Sequence, residues 1–209
     1  MAKLLHIESS PRKARSHSAS VAHAFVDSYK KTHPSDTVDT WDVWHAMLPV
    51  FDGDTLNAKY SALAGRKQSS PESAAWETIH ALADRLKTAD KLLVSAPMWN
   101  FSIPYRLKHL IDLITQPGVT FGYDATKGYY GLVTGKPAVV VIARGGAYGP
   151  GSPAASMDFQ KPYLEMWLRF IGFTDIRTLE VEPTLGNPED VAKMKSALTD
   201  RAISMGAEF

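Results

Sequence analysis

The chain of 209 residues contains no cysteine. That absence excludes disulfides, thiolate nucleophiles, zinc-finger sites and thiol-ligated iron–sulfur clusters. There is no surplus of charge of either sign: 23 basic side chains face 22 acidic ones, for a formal net charge of +1. Such a balance points to no nucleic-acid partner and no membrane surface. No apolar run approaches the ~18 residues needed to cross a bilayer. Met1-Ala2-Lys3 leads straight into a short apolar segment rather than a cleavable leader. A soluble, cytoplasmic protein is expected. Several catalytic signatures are missing as well. No G-x-G-x-x-G follows the first apolar run, no G-x-S-x-G elbow occurs, and the seven histidines include no H-E-x-x-H, so no metal site is expected. Gly131-Leu132-Val133-Thr134-Gly135-Lys136-Pro137 has its glycines too close for a P-loop, and a proline where Ser or Thr is required. No repeat or linker divides the chain, so residues 1–209 are expected to form one domain, with 44% hydrophobic residues to fill its core.

What is present is alternation. Leu4–Ile7 reads as a strand, and from Ser18 a helical stripe carries Val21, Ala24, Phe25 and Tyr29. Val38–Trp44 favours extended structure, and residues 45–70 read as a long surface loop with some helix. Ser69-Ser70-Pro71-Glu72 opens a helix with a capping box and a proline in the first turn. Leu92–Ala96 is nearly all apolar and ends at Pro97, as a central strand covered on both faces does. A helix over Pro104–Thr115 follows, then two arms at 119–123 and 129–133, then the strand Pro137–Ala143. Phe159–Phe173 reads as an aromatic-rich helix, Ile176–Val181 as a fifth strand, and Asn187 as the cap of a last helix. The order predicts an α/β fold, a doubly wound five-stranded parallel sheet with helices on both faces.

In such a fold three loops meet at the carboxyl edge of the sheet, where open α/β sheets bind ligands. The first offers Ser10, Arg12, Ser16, His17 and Ser18 ahead of a helix, a composition suited to a phosphate at a helix amino end. One of those serines also suits a plain helix cap. The second loop, Pro97-Met98-Trp99-Asn100-Phe101, offers flat apolar surface and one amide. It equally suits a loop folded over its own lid. The third, Arg144 to Gly151 after Ala143, reads as flexible, and Gly145 and Gly146 leave room for main-chain N–H groups to approach a ligand. Phosphate, aromatic face and polar ring edge together describe a mononucleotide such as FMN.

Taken in order, Ser10-Pro11-Arg12, Ser16-His17-Ser18, Ala96-Pro97-Met98-Trp99-Asn100-Phe101-Ser102-Ile103-Pro104, Leu107-Lys108, Asp112, Gly118-Val119-Thr120-Phe121, Gly131 to Lys136 and Arg144-Gly145-Gly146 resemble the FMN-dependent NADH-azoreductases of the flavodoxin-like quinone reductase group. The resemblance implies a flavodoxin-like fold, non-covalently bound FMN and a homodimer with two active sites at its interface. In that pattern Ser10 and the Ser16–Ser18 turn hold the phosphate, with Arg12 beside them. Pro97 and Met98 to Phe101 line the isoalloxazine, and Ala143 with Arg144-Gly145-Gly146 meets its pyrimidine edge. Phe121 and Tyr123, from the same chain or from the partner across the interface, with Tyr148 and Phe173, are expected to line the acceptor pocket. Ala143 stands where the family often has Ser or Thr, and Trp99 where tyrosine is common. The implied chemistry is ping-pong hydride transfer through flavin N5 from NADH or NADPH to quinones, azo dyes or nitroaromatics, with no catalytic side chain. The alternative is an electron-carrying flavodoxin without a nicotinamide reaction; such carriers are typically acidic, and the net charge of +1 opposes it.

Overall fold

The computed structural model describes residues 1–209. In chain order the elements are β1 (Lys3–Glu8), α1 (His17–Thr32), β2 (Thr37–Asp42), α2 (Gly53–Leu63), α3 (Ser70–Lys87), β3 (Lys91–Pro97), α4 (Tyr105–Ile114), β4 (Phe121–Asp124), β5 (Gly128–Gly131), β6 (Pro137–Ala143), α5 (Lys161–Ile171), β7 (Asp175–Val181) and α6 (Pro188–Glu208). Five strands form one parallel sheet in the order β2-β1-β3-β6-β7, which is the flavodoxin-like order. Winding reverses between β1 and β3, so a crevice opens at their carboxyl ends. The two arms form an antiparallel hairpin of β4 and β5 outside this sheet.

The apolar central runs are two half-runs facing opposite ways. Leu92, Val94 and Ala96 join Leu5, Ile7, Val140 and Ile142 in a cluster with the inner faces of α3, α4 and α5. Leu93 joins Leu4, Val139 and Val141 in a second cluster with α1 and α6. Side chains alternate along a strand, so burial on both faces requires an uninterrupted apolar run.

Element boundaries depart from expectation where a side chain captures the main chain. β2 ends at Asp42, not Trp44, because Asp42 Oδ1 accepts the Trp44 N–H (3.0 Å) and turns the chain. The α3 start is as expected, with the Ser69 N–H donating to Glu72 Oε2 at 2.8 Å. α5 begins at Lys161, where Asp158 Oδ1 accepts from the N–H groups of Gln160 (2.9 Å) and Lys161 (3.1 Å). It ends at Gly172, whose φ of +121° suits glycine best.

Candidate functional site

The first loop is built to present hydroxyls. Ser9 is fastened to β3, its N–H and Oγ both donating to the Ser95 carbonyl (3.0 and 2.8 Å). Lys13 stands in left-handed backbone (φ +49°), its Nζ bonded to Glu8 Oε1 at 2.7 Å and to Asp42. Glu8 in turn accepts from His23 of α1 at 2.7 Å; that bond and the Lys13 charge hold its carboxyl down at about 2. Ser16 caps α1 by accepting the Ala19 N–H (3.3 Å), and its Oγ lies 3.2 Å from Ser18 Oγ; both serines are buried. The cap and a pair of buried hydroxyls therefore share one helix start. Burial, followed by the Lys195 and Arg12 charges, lowers the pKa of His17. Its ring is biased toward neutrality, and its buried Nδ1 has no partner.

The second loop is a two-residue turn. Trp99 and Ser102 exchange main-chain hydrogen bonds (2.8 and 3.0 Å), and Asn100 (φ +46°) and Phe101 (φ +72°) are both left-handed. Asparagine tolerates that region; phenylalanine is strained there. The Met98 N–H donates to the Ala143 carbonyl at 2.7 Å, which locks this loop to the third. Trp99 packs on Trp44 (ring centroids 5.5 Å apart), whose indole N–H donates to the Ser9 carbonyl at 2.8 Å. The aromatic wall and the serine loop are thus one assembly.

The third loop is pinned rather than flexible. The Thr184 N–H and Oγ1 both donate to the Arg144 carbonyl (2.9 and 3.0 Å), and the Leu185 N–H donates to the Gly145 carbonyl at 3.0 Å. Glu182 accepts the N–H groups of Tyr148 (2.8 Å) and Gly149 (3.1 Å).

Together these loops enclose a cleft lined by Ser10, Pro11, Arg12, Ser16, His17, Pro97, Met98, Trp99, Ala143, Gly145 and Thr184. The cleft measures about 150 Å³, and a separate, wider hollow of about 590 Å³ shares Trp99 with it. Ser18, Asn100, Phe101 and Gly146 lie next to lining residues without lining the cleft themselves. Two expectations are corrected. The Arg144 side chain is fully buried among carboxylates and does not line the cleft. Phe173 sits in the main core, where no ligand reaches it. Phe121 and Tyr123 lie on the β4–β5 hairpin, Tyr123 lining a separate hollow with Trp76 and His80, while Tyr148 packs edge-on against Phe101 (6.5 Å). Sequence reasoning missed Thr184 and Trp44; their positions just past β7 and β2, on the same sheet edge, were the available signal.

The donor set fits a phosphate ester carrying a flat ring. Hydroxyls of Ser10 and Ser16, His17 and Arg12 gather at a helix amino end and share the cleft with Pro97, Met98, Trp99 and Gly145. Fold and site together define a flavodoxin-like α/β protein with a ligand cleft at its switch point. A family described as having a flavodoxin-like fold matches residues 2–203. An FMN-dependent NADH:quinone oxidoreductase of Nitratidesulfovibrio vulgaris (strain DP4) is 50% identical over 210 residues, covering 100% of both chains. Among solved structures, an azoreductase from Bacillus anthracis str. Sterne superimposes with a TM-score of 0.92 at 30% identity, covering 100% of both chains. An FMN-dependent NADH-azoreductase from Bacillus anthracis str. Ames Ancestor, in complex with FMN, gives 0.86 at 25% identity over 99% of this chain and 100% of that one. The chain belongs to the family of FMN-dependent NADH:quinone oxidoreductases.

Proposed function

We propose that this protein binds FMN in the cleft and reduces quinones, and cleaves aromatic azo bonds, at the expense of NADH. The observation that carries the reading is a single cleft lined jointly by Ser10, Arg12, Ser16 and His17 of the first loop, Pro97, Met98 and Trp99 of the second, and Gly145 of the third. In this reading Ser10, Arg12, Ser16 and His17 hold the phosphate, with the Ser18 hydroxyl supporting that of Ser16, Pro97 to Trp99 support one face of the ring, and Gly145 offers main chain to its polar edge. When bound, FMN supplies the two-electron transfer between a reduced nicotinamide and a quinone or azo acceptor. The residues of the chain bind, orient and exclude water; none acts as nucleophile. Donor and acceptor use the one open side in turn, a ping-pong order.

A homodimer completes the site in this reading. Phe101, Tyr105, Tyr123, Tyr129 and Phe159 are exposed aromatics, an apolar surface that a second copy would cover. Phe121 and Tyr123 lie outside the cleft of their own chain, and the partner's copies would cap it. No helix is long and apolar enough to cross a membrane, and we place the protein in the cytoplasm, with its nicotinamide donor.

The test is direct. Purified protein should be yellow, bleach anaerobically with NADH and recover colour with a quinone. The Ser16→Ala variant should retain FMN roughly tenfold less well, one lost charge-assisted hydrogen bond being worth about 1.5 kcal/mol or more. Colourless protein that ignores added FMN would refute the reading.

A further inference from the structure

Arg144 stands between two residues that line the cleft, Ala143 and Gly145, yet its own side chain does not line it and has no solvent exposure. Nη1 donates to Asp158 Oδ2 at 2.5 Å, Nη2 donates to Glu180, and Nε lies 2.8 Å from Glu182 Oε2 without hydrogen-bond alignment. Each carboxylate is itself tied down, two of them to the start of α5 and one to the third loop. Asp158 holds the first turn of α5, Glu180 accepts from Lys161 Nζ, and Glu182 holds the main chain at Tyr148 and Gly149. The Arg144 carbonyl meanwhile receives both donors of Thr184, another lining residue. One guanidinium therefore joins α5, the end of β7 and the third loop behind the cleft wall.

Stability alone does not explain this arrangement. Burying a charged group is costly, and a well-packed apolar side chain often serves stability as well. What the guanidinium does that an apolar group or a lysine cannot is address three acids in fixed, planar directions. Geometry is the product of that arrangement.

We infer that Arg144 is a positioning residue of the cleft: locked among Asp158, Glu180 and Glu182, it sets the main chain at Gly145 and Thr184 in the conformation that receives the flavin ring. The inference rests on the cleft being the FMN site. It assigns Arg144 to the ring end of the ligand and leaves the phosphate end to the first loop, although its side chain touches neither. Electrostatics adds a second consequence. Arg144 and Lys161 face three carboxylates, so removal of the arginine charge leaves the wall behind the ring more negative. Electron uptake by the flavin is then disfavoured.

The experiment separates the two ends of the ligand with apoprotein of the full chain. Riboflavin probes the ring end, and inorganic phosphate, followed by the His17 imidazole signal in NMR, probes the other. In Arg144→Gln the affinities for FMN and riboflavin should fall by the same factor, roughly tenfold for a wall displaced by a fraction of an ångström. Phosphate binding should stay at the wild-type value, and the midpoint potential of the flavin still bound should drop. Arg144→Lys, which keeps the charge and loses the fork, should weaken riboflavin while leaving the potential near wild type. A folded Arg144→Gln variant with unchanged riboflavin affinity and potential would overturn the assignment. Riboflavin and phosphate weakening together would overturn it too, since that marks general loosening. Should Arg144→Gln fail to fold, Glu182→Gln decides: weaker riboflavin with unchanged phosphate supports the inference, and unchanged riboflavin defeats it. Wild-type protein that binds neither FMN nor riboflavin would instead remove the cofactor reading, and the inference with it.

Discussion

At the scale of single residues the site is made by side chains that face away from it as much as by those that line it. Lys13 and Trp44 fasten the serine loop from behind, and Glu182 fastens the third loop. Phe101 shows what such a construction costs. Its φ of +72° is unfavourable for a side chain with a Cβ by about 1–2 kcal/mol, a strain of the kind that collects at functional sites. Glycine there carries an entropic penalty of about 0.5–1 kcal/mol, and Phe101 is exposed enough that little burial is lost. Phe101→Gly should therefore keep or raise the urea midpoint, whereas the β-branched Phe101→Val should lower stability by about 1 kcal/mol or more. A Gly variant less stable than wild type would show that contact with Tyr148 outweighs the backbone strain.

At the scale of elements, α1 and α6 pack closely on one face of the sheet, and a glycine permits it. A Cβ on Gly206 would lie 2.3 Å from the Phe25 carbonyl oxygen, and main chain cannot swing aside as a flexible side chain can. Two effects compete in Gly206→Ala. Helix propensity favours alanine by about 1 kcal/mol, while overpacking against a neighbouring backbone costs about 1–3 kcal/mol. The clash should win, and thermal unfolding should show net destabilisation. Stabilisation would mean that α6 slides on α1 at little cost, despite the Ser28 hydroxyl donating to the Ile203 carbonyl at 2.7 Å. The same element-level logic explains why the β4–β5 hairpin was readable only as two arms. Nothing in its own residues specifies where it docks, and Gly131 meets the backbone of Gly172 from a distant part of the chain.

At the scale of the whole molecule, a buried histidine couples folding to pH. Burial, the largest cause, drives His6 down from 6.5 to about 4; its Nε2 shares a hydrogen bond with Ser95 Oγ at 2.9 Å. The folded chain then binds fewer protons than the unfolded chain between those values. The His6 contribution to stability is full above pH 6.5 and is lost as pH falls through 4, a change of roughly 3 kcal/mol. His23 acts in the opposite sense: its bond to Glu8 raises its pKa, so its contribution is present below 6.5 and lost as pH rises through that raised value. His23 is half exposed, and the buried His6 governs the sign. Urea unfolding of wild type should show the decline between pH 6.5 and 4, and His6→Gln should flatten it. Equal slopes in the two proteins would assign the effect elsewhere. Association belongs to this scale too. Sedimentation of the FMN-loaded protein should give twice the chain mass of 23.0 kDa; a fully active monomer would end the shared-site reading.

The sequence alone determined the sheet and most of its helices, because those signals are local. Apolar runs, a capping box at Ser69–Glu72 and the serines before α1 act on residues a few places away. It also pointed to three loops that the fold brings to one cleft. Tertiary structure decided which side chains of those loops face the cleft. Arg144 looks like a ligand residue in any local reading, and only the approach of Asp158, Glu180 and Glu182 turns it inward. Thr184 and Trp44 likewise join the assembly through partners distant in sequence, Arg144 and Ser9. Charge pairing and burial depend on distances through space, and a linear pattern carries no record of them until the strands are paired.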